Sequence, residues 1–485
     1  LYVHVRIANP HETETPIYWW SNMAVPESED TRVLAPADSA YSFGYKQGSL
    51  YIASIPVNEG VDITYVTNVD RAADFFFHVP DGKRHWITAL DGGGTGLVQA
   101  STSRLKGRKL FLWGMGAGGR TWQSFLAEPG VTYLEIQAGL ARTQTEHLPM
   151  PPGADWSWLE AYGLMETDAG LVHGNDWTAA RREVTQQLSR LIPQETLAAE
   201  LEAARVWADR EPVEFLQVGS GWGALEQQRL ASSDGASYSF TGMPFDERSL
   251  SDEQQPWLAL LQTGAFPELD PHLEPLGYLV QPAWHAILES ALAEGRGSNW
   301  AAWYYLGVMR YVADDLDGAS EAWHRSLEYV DTPWARRCLA VLAMLAGKLD
   351  EAADLYTVAC RQRPSLPPLA AECGAALLAA DRPEAWLALV AELPASVQAV
   401  GRIRLLAGQA ALAIHDFEAV AQLFANPPVV ADLREGEVSL SQLWFAYHEQ
   451  RISAEEGVSI DATLRQRVRS EHPVPLEIDF RMATD

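Results

Sequence analysis

The sequence predicts a multidomain β + α chain: an antiparallel β-sandwich followed by an α-helical repeat solenoid. Three observations predict it. Residues 1–165 are filled by short alternating or aromatic runs separated by turn residues, with no helical pattern between them. Near Thr167 the apolar period changes from two to that of amphipathic helices. From Asn299 onward, Ala319, Ala352, Ala385 and Ala419 recur at spacings of 33, 33 and 34 residues, the period of a helix–turn–helix repeat. At 485 residues the chain is also too long for one ordinary domain.

The runs LYVHVRI, IYWWSNMAV, DITYV, ADFFFHV, WITAL, LVQAS, KLFLWG and TYLEIQAG read as strands. The clearest hairpin joins WITAL to LVQAS through Asp91–Gly96, whose glycines supply positive φ. Strands at this spacing without helices between them imply antiparallel pairing. The chain opens at Leu1 already in strand pattern. The sandwich is therefore read as the C-terminal part of a larger one, its N-terminal part missing or supplied by another chain. An incomplete sheet would show an open edge.

Residues 166–298 read as a helical and loop-rich connection. It contains NDWTAARREVTQQLSRLI, PQETLAAELEAARVWADR, a turn-rich stretch around SSDGASYSFTGMPFDERS, and PLGYLVQPAWHAILESALAEG. Residues 299–429 are the repeats. Trp323, Tyr356, Leu389 and Leu423 follow each repeating Ala by four residues. The small residue lets two antiparallel helices approach, and the large one fills the space one turn on. With Leu306-Gly307 and Trp303 before the first Ala, the pattern resembles the tetratricopeptide repeat. Residues 430–485 read as a helical cap bearing Trp444, Phe445 and Tyr447.

Composition excludes several classes. The formal charge is −28, from 36 basic and 64 acidic residues. Phosphate backbones and anionic membranes need a basic footprint, so no nucleic-acid or membrane partner is expected. Cys338, Cys360 and Cys373 have no CxxC spacing and an odd count; they are expected to be buried and reduced, which places the chain in the cytoplasm. The histidines lack metal-ligand spacing, so neither a metal nor a cofactor is expected.

Chemistry concentrates between Leu110 and Tyr162. Glu135 and Gln137 alternate with Leu134 and Ile136, so both point to the face opposite the core. Trp113 and Trp122 come from the preceding stretch, and Trp19, Trp20 and Asn22 from an earlier strand. Indoles that cover C–H faces, with carboxylate and amide oxygens for hydroxyls, are what sugar recognition needs. Arg120 would add a charged contact. Glu146 and His147 lie on the loop after the strand, and Glu160 ends WSWLEAY. A carboxylate pair drawn from these would suit glycoside chemistry. GMGAGG has dinucleotide-site spacing at Gly114, Gly116 and Gly119, but it lacks the long helix and βαβ frame such a site needs, and is read as a flexible loop presenting Trp113, Arg120 and Trp122 at one rim.

PIYWWSNMAVPE, FLWGMGAGGRTWQSFL, YLEIQAGLARTQ with EHLPMPPG and WSWLEAYG, GSGWGALE, and DLREGEVSLSQLWFAYHEQR resemble domain-of-unknown-function family 5107, which occurs joined to tetratricopeptide repeats. Its β part is similar to the galactose-mutarotase-like supersandwich. In aldose epimerases the catalytic base is the Glu of a late LExQ strand motif, and Leu134-Glu135-Ile136-Gln137 matches it. The strand comparable to their second-histidine strand carries Trp20, Ser21 and Asn22, and no histidine matches. Their first histidine would lie before Leu1. The resemblance thus implies a sugar site, or another carboxylate-based chemistry, on Glu135.

The expected function is recognition of a mono- or oligosaccharide in the sandwich. Glu135 is the catalytic candidate for glycosidase or epimerase-like activity, with Glu146 a weaker one. Trp19, Trp20, Asn22, Trp113, Arg120, Trp122, Gln137 and His147 would bind substrate. The alternative is a non-enzymatic scaffold whose repeats hold a protein partner.

Overall fold

The computed structural model describes residues 1–44, 49–210, 213–232 and 245–482. Part of the turn-rich stretch expected around residues 232–249 lies outside them. The chain forms two compact units. One comprises Leu1–Asp209, Arg434–Gln442 and His472–Asp485, and the other Arg210–Leu433 and Leu443–Glu471.

The first unit is an N-terminal antiparallel β domain. Its strands are β1 (Tyr2–Ala8), β2 (Thr15–Ile17), β3 (Trp20–Pro26), β4 (Arg32–Leu34), β5 (Ser39–Gly44), β6 (Ser49–Ser54), β7 (Val57–Asn58), β8 (Val61–Asp62), β9 (Ala73–Phe77), β10 (Trp86–Leu90), β11 (Thr95–Ser101), β12 (Gly107–Leu112), β13 (Tyr133–Gly139), β14 (Leu148–Met150) and β15 (Asp155–Glu166). A five-stranded sheet runs β1-β15-β11-β10-β4 and a six-stranded sheet runs β3-β13-β12-β9-β5-β6. Both contribute to one core, with Ile87, Leu90, Val98 and Leu159 from the first and Phe75, Leu110, Leu134 and Ile136 from the second. The β10–β11 hairpin closes as expected: Asp91 accepts from the Gly93 and Thr95 amides, and Gly94 takes φ +79°.

Helices α1 (Ala117–Leu126), α2 (Ala169–Val172), α3 (Trp177–Leu191) and α4 (Gln194–Ala208) complete this part of the unit. Here the structure corrects the expected boundaries. The first unit does not end at residue 165, because Val184 and Leu188 of α3 and Leu197 of α4 join the β core. Nor is residues 430–485 one cap, since two of its segments belong to the β unit. With α3 and α4 against β15, the WITAL strand β10 is buried at every position. In the six-stranded sheet β9 and β12 are likewise buried at every position, and β3 and β6 at its edges are more exposed.

In the second unit the repeat region forms consecutive helix pairs: Trp300–Val312 with Leu316–Tyr329, Pro333–Leu345 with Leu349–Gln362, Pro367–Ala379 with Pro383–Glu392, and Gly401–Ala413 with Phe417–Ala425. Asn299, Asp315, Thr332 and Asp416 cap helix starts through their side chains. Ala319 and Ala352 are fully buried, while Ala385 and Ala419 are half-buried. The closest approach is made by glycine: a Cβ on Gly307 would lie 2.3 Å from the Trp323 indole, and one on Gly408 would lie 2.4 Å from Leu423. The third pair presses Trp386 onto Gly374, using the residue one turn before Leu389. Cys338, Cys360 and Cys373 are buried and unpaired. Among the described residues no helix is long and apolar enough to cross a membrane.

Candidate functional site

Register assembles the site. Asn22, Gln137, Lys109 and Phe76 are cross-strand partners on β3, β13, β12 and β9, and so are Ala24, Glu135, Phe111 and Asp74. Cross-strand partners share a face, so these two rows cover the side of the six-stranded sheet away from Leu110, Leu134 and Ile136. They border a cavity of about 320 Å³ lined by Asp74, Lys109, Phe111, Trp113, Glu135, Gln137, Gln144 and Glu435.

A continuous polar chain crosses this face. Lys109 Nζ pairs with Asp74 at 2.5 Å and donates to Gln144 at 2.6 Å. Gln144 donates to Gln137 at 2.8 Å, and Gln137 donates to Glu135 at 2.9 Å. Asn22 donates to the same Glu135 oxygen, Oε2, at 2.7 Å. Each amide is oriented by its neighbours, so the donors run one way from the ammonium to the carboxylate. Both bonds to Glu135 engage Oε2, which leaves the Oε1 lone pairs for a hydroxyl. Lys109 and Asp74 are both buried, and the ammonium sits between the rings of Phe76 (5.2 Å) and Phe111 (5.4 Å).

Trp113 forms an aromatic wall. It stands edge-on to Phe111 and Tyr133, with centroids 4.8 and 6.1 Å away. Its ring and its indole nitrogen are buried, the N–H interacting with the Tyr133 hydroxyl. Glu435 comes from the Arg434–Gln442 segment of the same unit. Glu435 is an exposed residue, yet partial desolvation and the charges of Asp74 and Glu135, only partly offset by Lys109, push its carboxyl above the usual range.

The structure brings together Glu135, Gln137, Asn22 and Trp113, and separates the other expected residues from them. Trp20 is on the same face, laid flat across Gly139 and Gly107, where added Cβ atoms would lie 2.2 and 2.6 Å from its ring. Trp19 faces elsewhere, packing on Trp158 and donating to Glu160 at 3.4 Å. Trp122 is in the core, its indole donating to the Phe480 carbonyl at 2.9 Å. Arg120 does not reach the cavity: it is held by Glu27 at 2.7 Å and by the Gly114 carbonyl. Glu146 caps its own loop, accepting from the Thr143 amide and hydroxyl, and His147 leans on Tyr18.

GMGAGG is a packed helix start and not a flexible rim. Cβ atoms on Gly118 and Gly119 would meet the Arg481 and Trp113 backbones at 1.7 and 2.1 Å. β12 and β13 flank α1 antiparallel, which removes the βαβ frame of a dinucleotide site. Among the described residues no group of three or more His, Cys, Asp or Glu could hold a metal ion.

Glu160, the other expected carboxylate, is fully buried between the sheets. It accepts from Ser21 (2.6 Å), Tyr162 (2.7 Å) and Gln99 (3.0 Å), and at 3.4 Å from Trp19 and Trp158. Lys109, Asp74, Gln144 and Glu435 are site residues that sequence reasoning missed. Lys109 and Asp74 had a signal, being lone charges in the apolar strands KLFLWG and ADFFFHV.

A TPR-domain containing protein from Parabacteroides distasonis has a similar solved structure. The match is 16% identical, covers 99% of this chain and 70% of that one, and has a TM-score of 0.57. A galactose mutarotase-like protein from Clostridium acetobutylicum matches at 14% identity over 34% of this chain and 52% of its own, with a TM-score of 0.25. A tetratricopeptide repeat protein from Parabacteroides merdae matches at 15% over 57% and 94%, also with a TM-score of 0.25. At 16% identity the Parabacteroides distasonis likeness speaks to fold alone, an N-terminal antiparallel β domain followed by helices. The strands that bear Asn22, Asp74, Lys109 and Glu135 lie in residues 3–151, and these residues match the family model of the domain of unknown function DUF5107.

Proposed function

We propose that the β unit recognises a carbohydrate on the outer face of the six-stranded sheet, with Glu135 as the central acceptor. The observation that carries this is the cavity itself. It sets a carboxylate held by two amides beside a buried Lys–Asp pair and against the Phe111 and Trp113 rings. Directional acceptors and donors in a polar-lined space suit the hydroxyls of one pyranose. The Leu134–Gln137 match to the epimerase strand motif supports the same use of Glu135. Glycoside or epimerase-like turnover would take Glu135 as its base. Buried, unpaired cysteines support a reducing, cytoplasmic setting.

Glu135→Gln keeps the shape and removes the charge. Calorimetry and an activity screen over mono- and oligosaccharides, on wild type and variant, test the proposal. A catalytic site loses turnover while binding survives. A purely binding site loses roughly 1–2 kcal/mol of affinity. Absence of saccharide binding by the wild type overturns the proposal. A second reading has one observation in its favour: a cavity of about 390 Å³ among the repeat helices is lined by Leu316, Leu339, Leu342, Leu345 and Leu355. These leucines, with Asp317, His324, Lys348 and Glu351 beside them, suit an amphipathic peptide of a protein partner, and this scaffold reading takes over if no sugar binds.

A further inference from the structure

Away from the sheet cavity, the β unit seats a peptide on α1, and the peptide is part of the same chain. The segment Leu476–Met482 belongs to the β unit, although the helix before it, Ala462–Glu471, belongs to the other unit. Three donors of the β unit hold its main chain. The Thr121 hydroxyl donates to the Leu476 carbonyl at 2.7 Å, the Trp122 indole to the Phe480 carbonyl at 2.9 Å, and the Ala72 amide to the Met482 carbonyl at 3.4 Å. Phe480 is the anchor, buried edge-on to Trp122 and Phe125 with centroids 5.0 and 5.6 Å away. The residues on either side of it, Asp479 and Arg481, pair with each other through two bonds of 2.7 and 2.8 Å, so the segment docks with its charges already matched. The seat is tight: Gly118 lets the Arg481 carbonyl lie where a Cβ would be 1.7 Å from it. Main-chain acceptors around one aromatic anchor are the means by which a groove reads a peptide. None of these contacts depends on the segment being tethered to the chain that binds it.

We propose that the seat on α1 is a recognition site for the segment Leu476–Met482 and that two copies of this chain exchange the segment to form a dimer. The inference is independent of the sugar reading. The second copy is the occupant because it carries the one peptide the seat is seen to fit, and an exchanged pair keeps every bond of the closed chain. The connection suits exchange: Pro473 and Pro475 bias the entering chain toward extended conformations, which lead away from the preceding helix. Charge does not oppose the contact locally. The segment brings its Asp479–Arg481 pair, and the cation of α1, Arg120, is tied to Glu27. The whole chain carries −28, so two copies repel at long range and salt favours the dimer. The tethered segment competes at an effective concentration of about 1 mM, so the closed chain dominates in dilute solution and exchange grows with concentration.

Two full-length variants divide the interaction. Gly118→Ala places a methyl against the Arg481 carbonyl and favours the helix itself, so it spoils the seat and keeps the segment. Phe480→Ala removes the anchor and keeps the seat. Sedimentation velocity at high protein concentration is the measurement, with thermal melting confirming that each variant folds. Each variant alone should be monomeric. An equimolar mixture should form a heterodimer in which the Gly118→Ala copy lends its segment to the Phe480→Ala copy. A labelled peptide of residues 472–482 should bind Phe480→Ala at least about tenfold more tightly than wild type, whose own segment competes, and should not bind Gly118→Ala. A mixture that stays monomeric overturns the inference. So does a dimer that Gly118→Ala forms equally well alone, because that interface does not use the seat. Should either variant fail to fold, wild type refolded from urea with the labelled peptide at about 1 mM carries the test: capture of the peptide supports the inference, and no capture overturns it.

Discussion

Arg108 and Lys109 are consecutive residues of β12, and the pleat sends them to opposite faces of the six-stranded sheet. Arg108 goes inward and is fully buried. It donates to the carbonyls of Leu105, Gly107 and His85 and to the Ser101 hydroxyl, and burial pulls its pKa down to about 10. Its carboxylate neighbour, Glu160, is closed off by five donors from three segments of chain. Lys109 goes outward to Asp74 and, through Gln144 and Gln137, to Glu135. Both clusters combine a cation, a carboxylate, amides and aromatic rings. What distinguishes them is closure. The inner carboxylate has its acceptor capacity filled by the protein, whereas the outer one keeps an oxygen for something else. Arg108 Nε and Gln99 Oε1 are left without partners in the inner cluster, but its carboxylate is filled and holds the sheets together. The same groups left part-satisfied over a cavity are a binding surface.

The largest effect that would break this comparison is on stability. Glu160→Ala takes the acceptor from Gln99 and Tyr162 and leaves Ser21 only the Ala138 carbonyl at 3.4 Å, and should cost roughly 3–5 kcal/mol. Glu135→Ala frees only Asn22, which is exposed, and Gln137, and should cost about 1 kcal/mol. Urea unfolding of both variants measures this. Equal losses would mean that the outer cluster is as structural as the inner one.

Next in size is a pH effect confined to the inner cluster. His85 is buried next to Arg108, and burial, with the charges of Arg108 and Lys106, takes its pKa down from 6.5 to about 4. The unfolded chain therefore binds a proton near pH 6.5 that the folded chain refuses until about pH 4. Stability from this group is complete above pH 6.5 and falls as the pH drops through that window, by up to about 3 kcal/mol. His85→Gln should remove most of that slope. An unchanged slope would mean that His85 protonates freely in the fold and that the inner cluster is not closed to solvent.

The parts of the site legible in the sequence are those fixed by a single strand. Alternation alone puts Glu135 and Gln137 together and opposite Leu134 and Ile136. The repeat register was legible for the same local reason, Ala319 and Ala352 being fully buried. Partners across strands depend on register, which no single strand carries: Lys109 meets Gln137 only because β12 pairs with β13 at that offset. Trp19 and Trp20 are neighbours in sequence and were grouped, but consecutive side chains diverge, one to Glu160 and one across Gly139. Trp122 sits on α1 under Phe480, a contact between distant segments. Glu435 lies three hundred residues beyond Glu135 in the chain, and no local pattern points from one to the other.

The smallest expected effect sharpens the comparison most, since it reads the unfilled charge of the outer cluster directly. Desolvation, and after it the charges of Asp74 and Glu135, make the Glu435 carboxyl hold a proton above the ordinary carboxylate range. In the window between the unfolded and folded values the folded chain binds more protons than the unfolded one. Stability from this group therefore falls as pH rises through the window and stays lower above it, the opposite sign to His85. Glu435→Gln cannot ionise and escapes the penalty. The variant and wild type should melt alike below the ordinary carboxylate range, and the variant should gain as pH rises, reaching a few tenths of a kcal/mol to about 1 kcal/mol at neutral pH, with solvent screening limiting the gain. Added salt should shrink the part of that gain that comes from Asp74 and Glu135, because it screens their repulsion. If the two melting profiles run parallel from acid to neutral pH, the carboxylates over the cavity do not repel one another. The outer cluster would then be as well compensated as the inner one, and the contrast between them would be lost.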